Sequence, residues 1–380
     1  MSQDFVRQMP NSNYVFQRTA GIGDRVHLDL TMLTLLFCIS VYGLVILYSA
    51  LDQNQAALTS QAIKMGVAAV GMVVMAQISP IFYLRLAPFM YIGGVLLLIL
   101  VYPFGYEVNG SKRWIRIPGL FGFQPSEIMK LVLPMILAWY FHDRHLPPKN
   151  RHIFWALVII AIPVVLIMGQ PDLGTSLIIG ASGLLVLLLA GIPWRFVYTA
   201  IGLAVLSAPA MWFFVLRGYQ QERILTLFNP ERDPLGAGWN IIQSKTAIGS
   251  GGIFGKGLFE GTQSHLDFLP ESQTDFIIAV LAEEFGLLGV VILLIMYLLL
   301  MGRGVVISMQ AQDTFGRLLS GTITFTFFVY VFVNIGMVSG ILPVVGVPLP
   351  IVSHGGTSIL TLFAGFGVIM SIHTHRRIML

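Results

Sequence analysis

Runs of about 20 mostly apolar residues recur along this 380-residue chain, and no other feature constrains its fold as strongly. A helix needs roughly 20 such residues to cross ~30 Å of hydrocarbon, and lipid offers no partner for an unpaired peptide group. Ten candidate spans follow: 28–50, 57–78, 81–102, 126–141, 153–168, 175–190, 196–216, 276–301, 318–340 and 357–372. With 56% hydrophobic and 11% charged residues, the apolar side chains are too many for one water-soluble core. The expected fold class is an all-α polytopic integral membrane protein with about ten transmembrane helices and one large extracytoplasmic loop.

Charge bias sets the expected orientation. With the N-terminus inside, the inner segments hold twelve of the 22 basic residues and five of the 18 acidic ones. Residues 1–27 then form a cytoplasmic tail, 28–375 a single ten-helix domain and 376–380 a second cytoplasmic tail. The polar loop 217–275 falls on the extracytoplasmic face. The first 27 residues are polar and lack the apolar core of a cleavable signal, so the first span is expected to target the membrane. Cys38, the only cysteine, excludes an intrachain disulfide. The basic residues are dispersed, which argues for anchoring at the bilayer and against nucleic acid as a partner.

Four Gly- and Pro-rich segments open on that outer face: 106–130, 169–175, the long loop and 341–358. In the first, Lys112, Arg113 and Arg116 flank Trp114, a composition suited to an interfacial anchor or to a diphosphate. Glu127 and Lys130 share a helix face at i, i+3, either as a structural ion pair or with Lys130 turned to an anionic group. Asp172 reads first as a helix cap. In the long loop, 248–257 (IGSGGIFGKG) superficially matches a phosphate loop but lacks the G-x-x-x-x-G-K-[ST] pattern, and a re-entrant loop suits it better. Asp275 stands where the loop meets the eighth span. A carboxylate there is partly desolvated, as a general base requires, although a helix cap is the plainer reading. Glu283 and Glu284 lie two turns deeper, where one of them needs a basic partner.

The segments NGSKRWIRIPGLFGFQPSEIMK, GQPDLGTS, QSKTAIGSGGIFGKG, FLPESQTDFIIAVLAEEFG and PVVGVPLPIVSHGGTS, taken in order, resemble the signatures of the shape, elongation, division and sporulation family. GIGDRVHLDL and GTQSHLDFLPESQTDF are closer to its rod-shape branch than to its division branch. The resemblance spans the chain from about Asp24 to the C-terminus. It implies a peptidoglycan glycosyltransferase of the bacterial cytoplasmic (inner) membrane that polymerises lipid II into a nascent glycan strand during elongation. The implied partners are a class B penicillin-binding protein transpeptidase and other elongation-complex membrane proteins.

The resemblance maps the essential outer carboxylate onto Asp275. It maps the QPSExxK segment onto Glu127 and Lys130, and the loop basics onto Lys112, Arg113 and Arg116. Arg217 joins these as a diphosphate-binding candidate, and Asp172, Lys245, Glu283, Glu284, Ser353 and His354 complete the candidate set. A divalent cation, Mg or Mn, is considered as a helper, although no loop cluster spells out metal ligands. Two other readings are a lipid II flippase and a non-catalytic scaffold for the transpeptidase.

Overall fold

The structure is a computed structural model that describes residues 26–108, 111–116, 122–214, 216, 218–232, 237–265 and 271–375. Ten long helices account for the ten apolar runs: α1 (Leu30–Ala50), α2 (Gln55–Gln77), α3 (Pro80–Phe104), α4 (Pro125–His142), α5 (Asn150–Gly169), α6 (Leu173–Leu189), α7 (Trp194–Phe214), then, past the long loop, Ile277–Gln310, Thr314–Val338 and Thr357–Thr374. Eight of them are long and apolar enough to cross a bilayer by length and composition. The other two are α4, of 18 residues, and α6, of 17. The chain is a polytopic membrane protein.

The stretch 217–275 is far from structureless. It contains α8 (Gly218–Phe228), a 3₁₀ turn at Pro230–Arg232, α9 (Ala237–Gly251) and the short α10 (Thr262–His265). The last three long helices are therefore α11 (Ile277–Gln310), α12 (Thr314–Val338) and α13 (Thr357–Thr374). The segment between α3 and α4 folds as a small antiparallel sheet of β1 (Tyr106–Val108), β2 (Ser111–Arg116) and β3 (Gly122–Phe123), in the order β1-β2-β3. Its register pairs Tyr106 with Trp114 and Ile115 with Phe123.

Largely buried, α12 packs against α11, α6 and α4, while α13 lies along α2. Phe327 of α12 meets Tyr297 and Phe366 edge to face, with ring centroids 5.3 and 5.5 Å apart. At the opposite extreme, Leu206, Phe213 and Phe214 of α7 are exposed, as suits side chains whose solvent is hydrocarbon.

The sequence-derived span at 276–301 stops nine residues short of the end of α11. The 34 residues of α11 are two helices in series that meet at a break at Gly286 (φ 66°, ψ −165°). The peptide groups released by the break are satisfied from the glycine-rich run of the loop. Lys256 N and Gly257 N donate to the Glu283 and Glu284 carbonyls at 3.0 Å each, and Leu287 N and Leu288 N donate to Gly252 O and Ile253 O at 2.9 and 3.1 Å. A phosphate therefore finds the amides of Lys256 and Gly257 already engaged.

At the end of the bundle where α1 starts and α13 finishes, Asp29 caps α1 through Met32 N (2.8 Å) and pairs with Arg303 and His373. The opposite end carries the sheet, α8–α10 and the segment between α12 and α13, and it is here that the candidate residues gather.

Candidate functional site

Asp275 is half-buried in a turn, residues 271–276, just before α11. Three consecutive carbonyls of that turn are held from outside it. Gln273 O accepts from His354 N at 2.8 Å, Thr274 O from Ser353 Oγ at 2.5 Å, and Asp275 O from Asn334 Nδ2 at 2.8 Å. Ser353 Oγ in turn accepts from Leu349 N at 2.8 Å. Thr274 Oγ1 donates to Glu271 Oε2 at 2.7 Å, closing the turn on itself. Gly346 (φ 73°) brings the α12–α13 segment close to the carboxylate, since a methyl group there would sit 3.4 Å from Asp275 Oδ2.

Burial pushes the Asp275 carboxyl up to about 6. The Glu271 carboxylate adds to the rise and Arg223 of α8 opposes it. Ser353 and His354 thus hold the turn's backbone. The His354 imidazole is itself kept below its usual range by burial and by Lys64.

Ser353 also lines a small cavity, about 50 Å³, between α4, α12, α13 and the 348–353 segment. Its polar lining includes Glu127, Lys130, Thr326, Tyr330 and Thr361, and Ile323, Phe327, Leu349 and Ile351 supply apolar walls. Pro125 opens α4 at its first turn, where a missing N–H costs nothing, and the helix phase then carries Glu127 and Lys130 inward. Lys130 Nζ lies 2.6 Å from Glu127 Oε1 and 5.0 Å from the Tyr330 ring centroid, while Thr361 Oγ1 donates to Glu127 Oε2 at 3.1 Å. The pair is thus an ion pair that lines the cavity.

The basic residues of β2 do not act as one cluster. The β1–β2 register breaks at Arg113, which is left unpaired between Lys112, opposite Glu107, and Trp114, opposite Tyr106. Lys112 is exposed, and the Arg116 guanidinium lies 5.1 Å from the Tyr106 ring centroid. Arg113 reaches Asp172 Oδ2 at 3.2 Å. Asp172 caps α6 through Thr175 N and also accepts from Gln124 Nε2, both at 3.1 Å.

The remaining candidates lie elsewhere. Glu283 is fully buried and receives Lys256 Nζ at 2.7 Å, Thr262 Oγ1 at 3.1 Å and Gln263 N at 3.0 Å. Glu284 receives the Ser49 hydroxyl. The Glu283 carboxylate thus anchors the loop to α11, whereas the Glu284 carboxylate ties α11 to α1. Lys245 is exposed on α9 and lies against Gly340. Arg217 falls outside the described residues. Among the described residues no three His, Cys, Asp or Glu side chains converge as a cation cage, so they do not by themselves fit the divalent cation considered from the sequence.

Two residues escaped the sequence reading. Arg223 sits in a polar helix that was read as loop, and its charge opposes Asp275. Asn334 lies inside an apolar span, and a lone asparagine in a membrane helix was the available signal.

A carboxylate-bearing turn and a cavity with a buried lysine thus lie together at one end of a ten-helix membrane bundle and form its candidate site. The chain belongs to the FtsW, RodA and SpoVE family of cell cycle proteins, whose family model matches residues 26–378. It is 50% identical over 356 residues to peptidoglycan glycosyltransferase MrdB of Escherichia coli strain K12, covering 94% of this chain and 96% of that relative. It is 36% identical over 362 residues to the probable peptidoglycan glycosyltransferase FtsW of Geobacter metallireducens, covering 92% and 95%.

Two solved structures share the fold. One chain, from work on the structural coordination of polymerization and crosslinking by a peptidoglycan synthase complex, superposes with a TM-score of 0.81 at 29% identity over 92% of this chain and 99% of that one. The rod shape determining protein RodA of Thermus thermophilus gives 0.69 at 27% identity over 91% and 96%.

Proposed function

We propose that this peptidoglycan glycosyltransferase polymerises lipid II by inverting displacement, with Asp275 as the general base. The observation that supports it best is Asp275 itself. It is a carboxylate raised toward neutrality, set in a turn whose carbonyls are held from outside, and separated by the 348–353 segment from a cavity that carries a lysine. A base works best with a pKa near the operating pH.

In the proposed step the acceptor sugar's 4-hydroxyl attacks the anomeric carbon of a lipid-linked donor. The hydroxyl proton passes to the Asp275 carboxylate, the bond from the anomeric carbon to the diphosphate oxygen breaks, and polyprenyl diphosphate leaves with the electron pair. An α-linked donor thereby becomes a β-linked glycan. The leaving diphosphate needs positive charge. Lys130 stands in the cavity, and Arg113 and Arg223 flank it or the base, with Lys112, Arg116 and Arg217 as outer candidates. Lys130 and Arg113 each already face a carboxylate, so the diphosphate must share them with Glu127 and Asp172. Any divalent cation is proposed to arrive on the diphosphate, and no step is drawn through one. The lipid tails would lie along the apolar grooves of the bundle.

The charge bias places both termini in the cytoplasm and the Asp275 end on the outer face of the cytoplasmic membrane, where a class B penicillin-binding transpeptidase would cross-link the nascent strands. The test is polymerisation of labelled lipid II by the purified chain, with and without that transpeptidase and divalent cation. Glycan ladders from the wild type that vanish with a well-folded Asp275→Asn are the expected result. Ladders undiminished in Asp275→Asn would remove the base. No polymer from either, with the transpeptidase present, would favour translocation or scaffolding.

A further inference from the structure

We propose that Asn334 is a positioning residue for this reaction: its side-chain amide fixes the Asp275 turn to the bundle, and so fixes where the carboxylate sits relative to the Lys130 cavity. The inference rests on the reading of Asp275 as the base.

Asn334 is 0% exposed on α12, a largely buried span. Its Nδ2 donates to Asp275 O at 2.8 Å and to Val347 O at 2.7 Å, using both amide protons. Those two carbonyls fix the amide's orientation, because the reversed amide would set Oδ1 against two carbonyl oxygens. The correct orientation leaves Oδ1 buried with no hydrogen-bond partner among the described residues. A buried orphan acceptor is costly, and asparagine is a poor helix former. Leucine would fill a similar volume without either penalty, so packing alone does not account for an amide at this depth.

The other two donors to the turn, Ser353 Oγ and His354 N, belong to the 341–356 segment. Asn334 is the only one of the three that belongs to a helix, and it grips the turn and that segment together. Tyr330 lies one helical turn earlier on the same face, with Lys130 Nζ 5.0 Å from its ring centroid. One face of α12 thus bears on the base at one level and on the cavity lysine a turn away, and its rigidity sets their separation. Misplacing a reacting group by about 1 Å can cost roughly 10²-fold in rate.

The test compares the wild type, Asn334→Leu, Asn334→Asp and Asn334→Gln as full-length chains in lipid vesicles given fluorescent lipid II. Asn334→Asp keeps the shape while removing the paired donors at neutral pH, and serves if leucine lowers the folded yield. Asn334→Gln keeps an amide donor. The expected result is a fall in kcat of about tenfold or more for the leucine and aspartate variants, with the KM for lipid II within about twofold of wild type and partial recovery in glutamine. Wild-type kcat in Asn334→Leu or Asn334→Asp would overturn the proposal, as would a loss confined to KM or one that merely tracks the folded fraction. Asp275→Asn runs alongside. If it polymerises normally, the base itself is wrong whatever Asn334 does; if it is inactive while Asn334→Leu is normal, only the positioning role fails.

Discussion

Lys130 Nζ and Glu127 Oε1 lie 2.6 Å apart on one face of α4, and both side chains are mostly buried. The cavity's lysine is therefore neutralised before any substrate arrives. Breaking such a pair from one side strands a buried charge, at a cost of about 3–5 kcal/mol. Lys130→Met should lower thermal stability by an amount of that order, and the double variant Lys130→Met/Glu127→Gln should recover most of it. Polymerisation should stay down by about 10²-fold in both, because the charge that meets the diphosphate is gone. Unfolding curves and lipid II turnover on the same preparations separate the two effects.

Arg113 and Asp172 contribute unequally to their own contact. Asp172 is buried and also serves as the cap of α6 and as acceptor for Gln124, whereas the Arg113 side chain is about one-third exposed at 32%. Asp172→Ala should cost about 1–2 kcal/mol through the lost cap alone, and Arg113→Ala about 1 kcal/mol or less. Thermal unfolding in detergent checks the ranking, and equal losses would contradict it.

The raised Asp275 carboxyl fixes the sign of a pH effect on stability. Its folded-state pKa, about 6, lies above the ordinary 3.8. Between those values the folded chain holds the extra proton, so stability falls as pH rises through this window. Asp275→Asn removes that dependence and should be at least as stable as wild type above pH 6. Melting temperatures of both proteins across the window test it, and a wild type that gains stability there relative to the variant would show the sign to be wrong.

The membrane architecture was legible in the sequence because a bilayer demands apolar runs of fixed length, and all ten runs became helices. Asp275, Lys130 and Glu127 were legible for a related reason: ionisable groups stand out against apolar sequence. What escaped depended on contacts between segments distant in the chain. Arg113 sits at a register irregularity of β2 and meets Asp172, a contact that the spacing of Lys112, Arg113 and Arg116 did not reveal. The run at 248–257 suggested a re-entrant loop, but its true partner, the broken backbone at Gly286, lies some thirty residues away. Asn334 carries no charge, so it did not register as a site residue until its two carbonyl partners were in place.

That loop yields a prediction of its own. Gly255 has a φ of 80°, and a methyl group on it would fall 2.0 Å from Glu284 O. Gly255→Ala should therefore pull the loop off α11, leaving the carbonyls of Glu283 and Glu284 and the amides of Leu287 and Leu288 without their donors and acceptors. Amide hydrogen exchange at Leu287 and Leu288 should rise and thermal stability should drop by more than about 1 kcal/mol. Unchanged exchange at those two amides would show that the loop does not hold the break.

The most direct measurement is the pH dependence of kcat/KM for lipid II polymerisation, run on wild type and Asp275→Asn between about pH 4.5 and pH 8. A base must be ionised to act, so wild-type kcat/KM should fall tenfold per unit on the acid side of an apparent pKa near 6, while the variant stays inactive throughout. A wild-type rate that is flat through pH 6, or an Asp275→Asn rate that follows the same acid limb as wild type, would contradict Asp275 as the group that takes the proton.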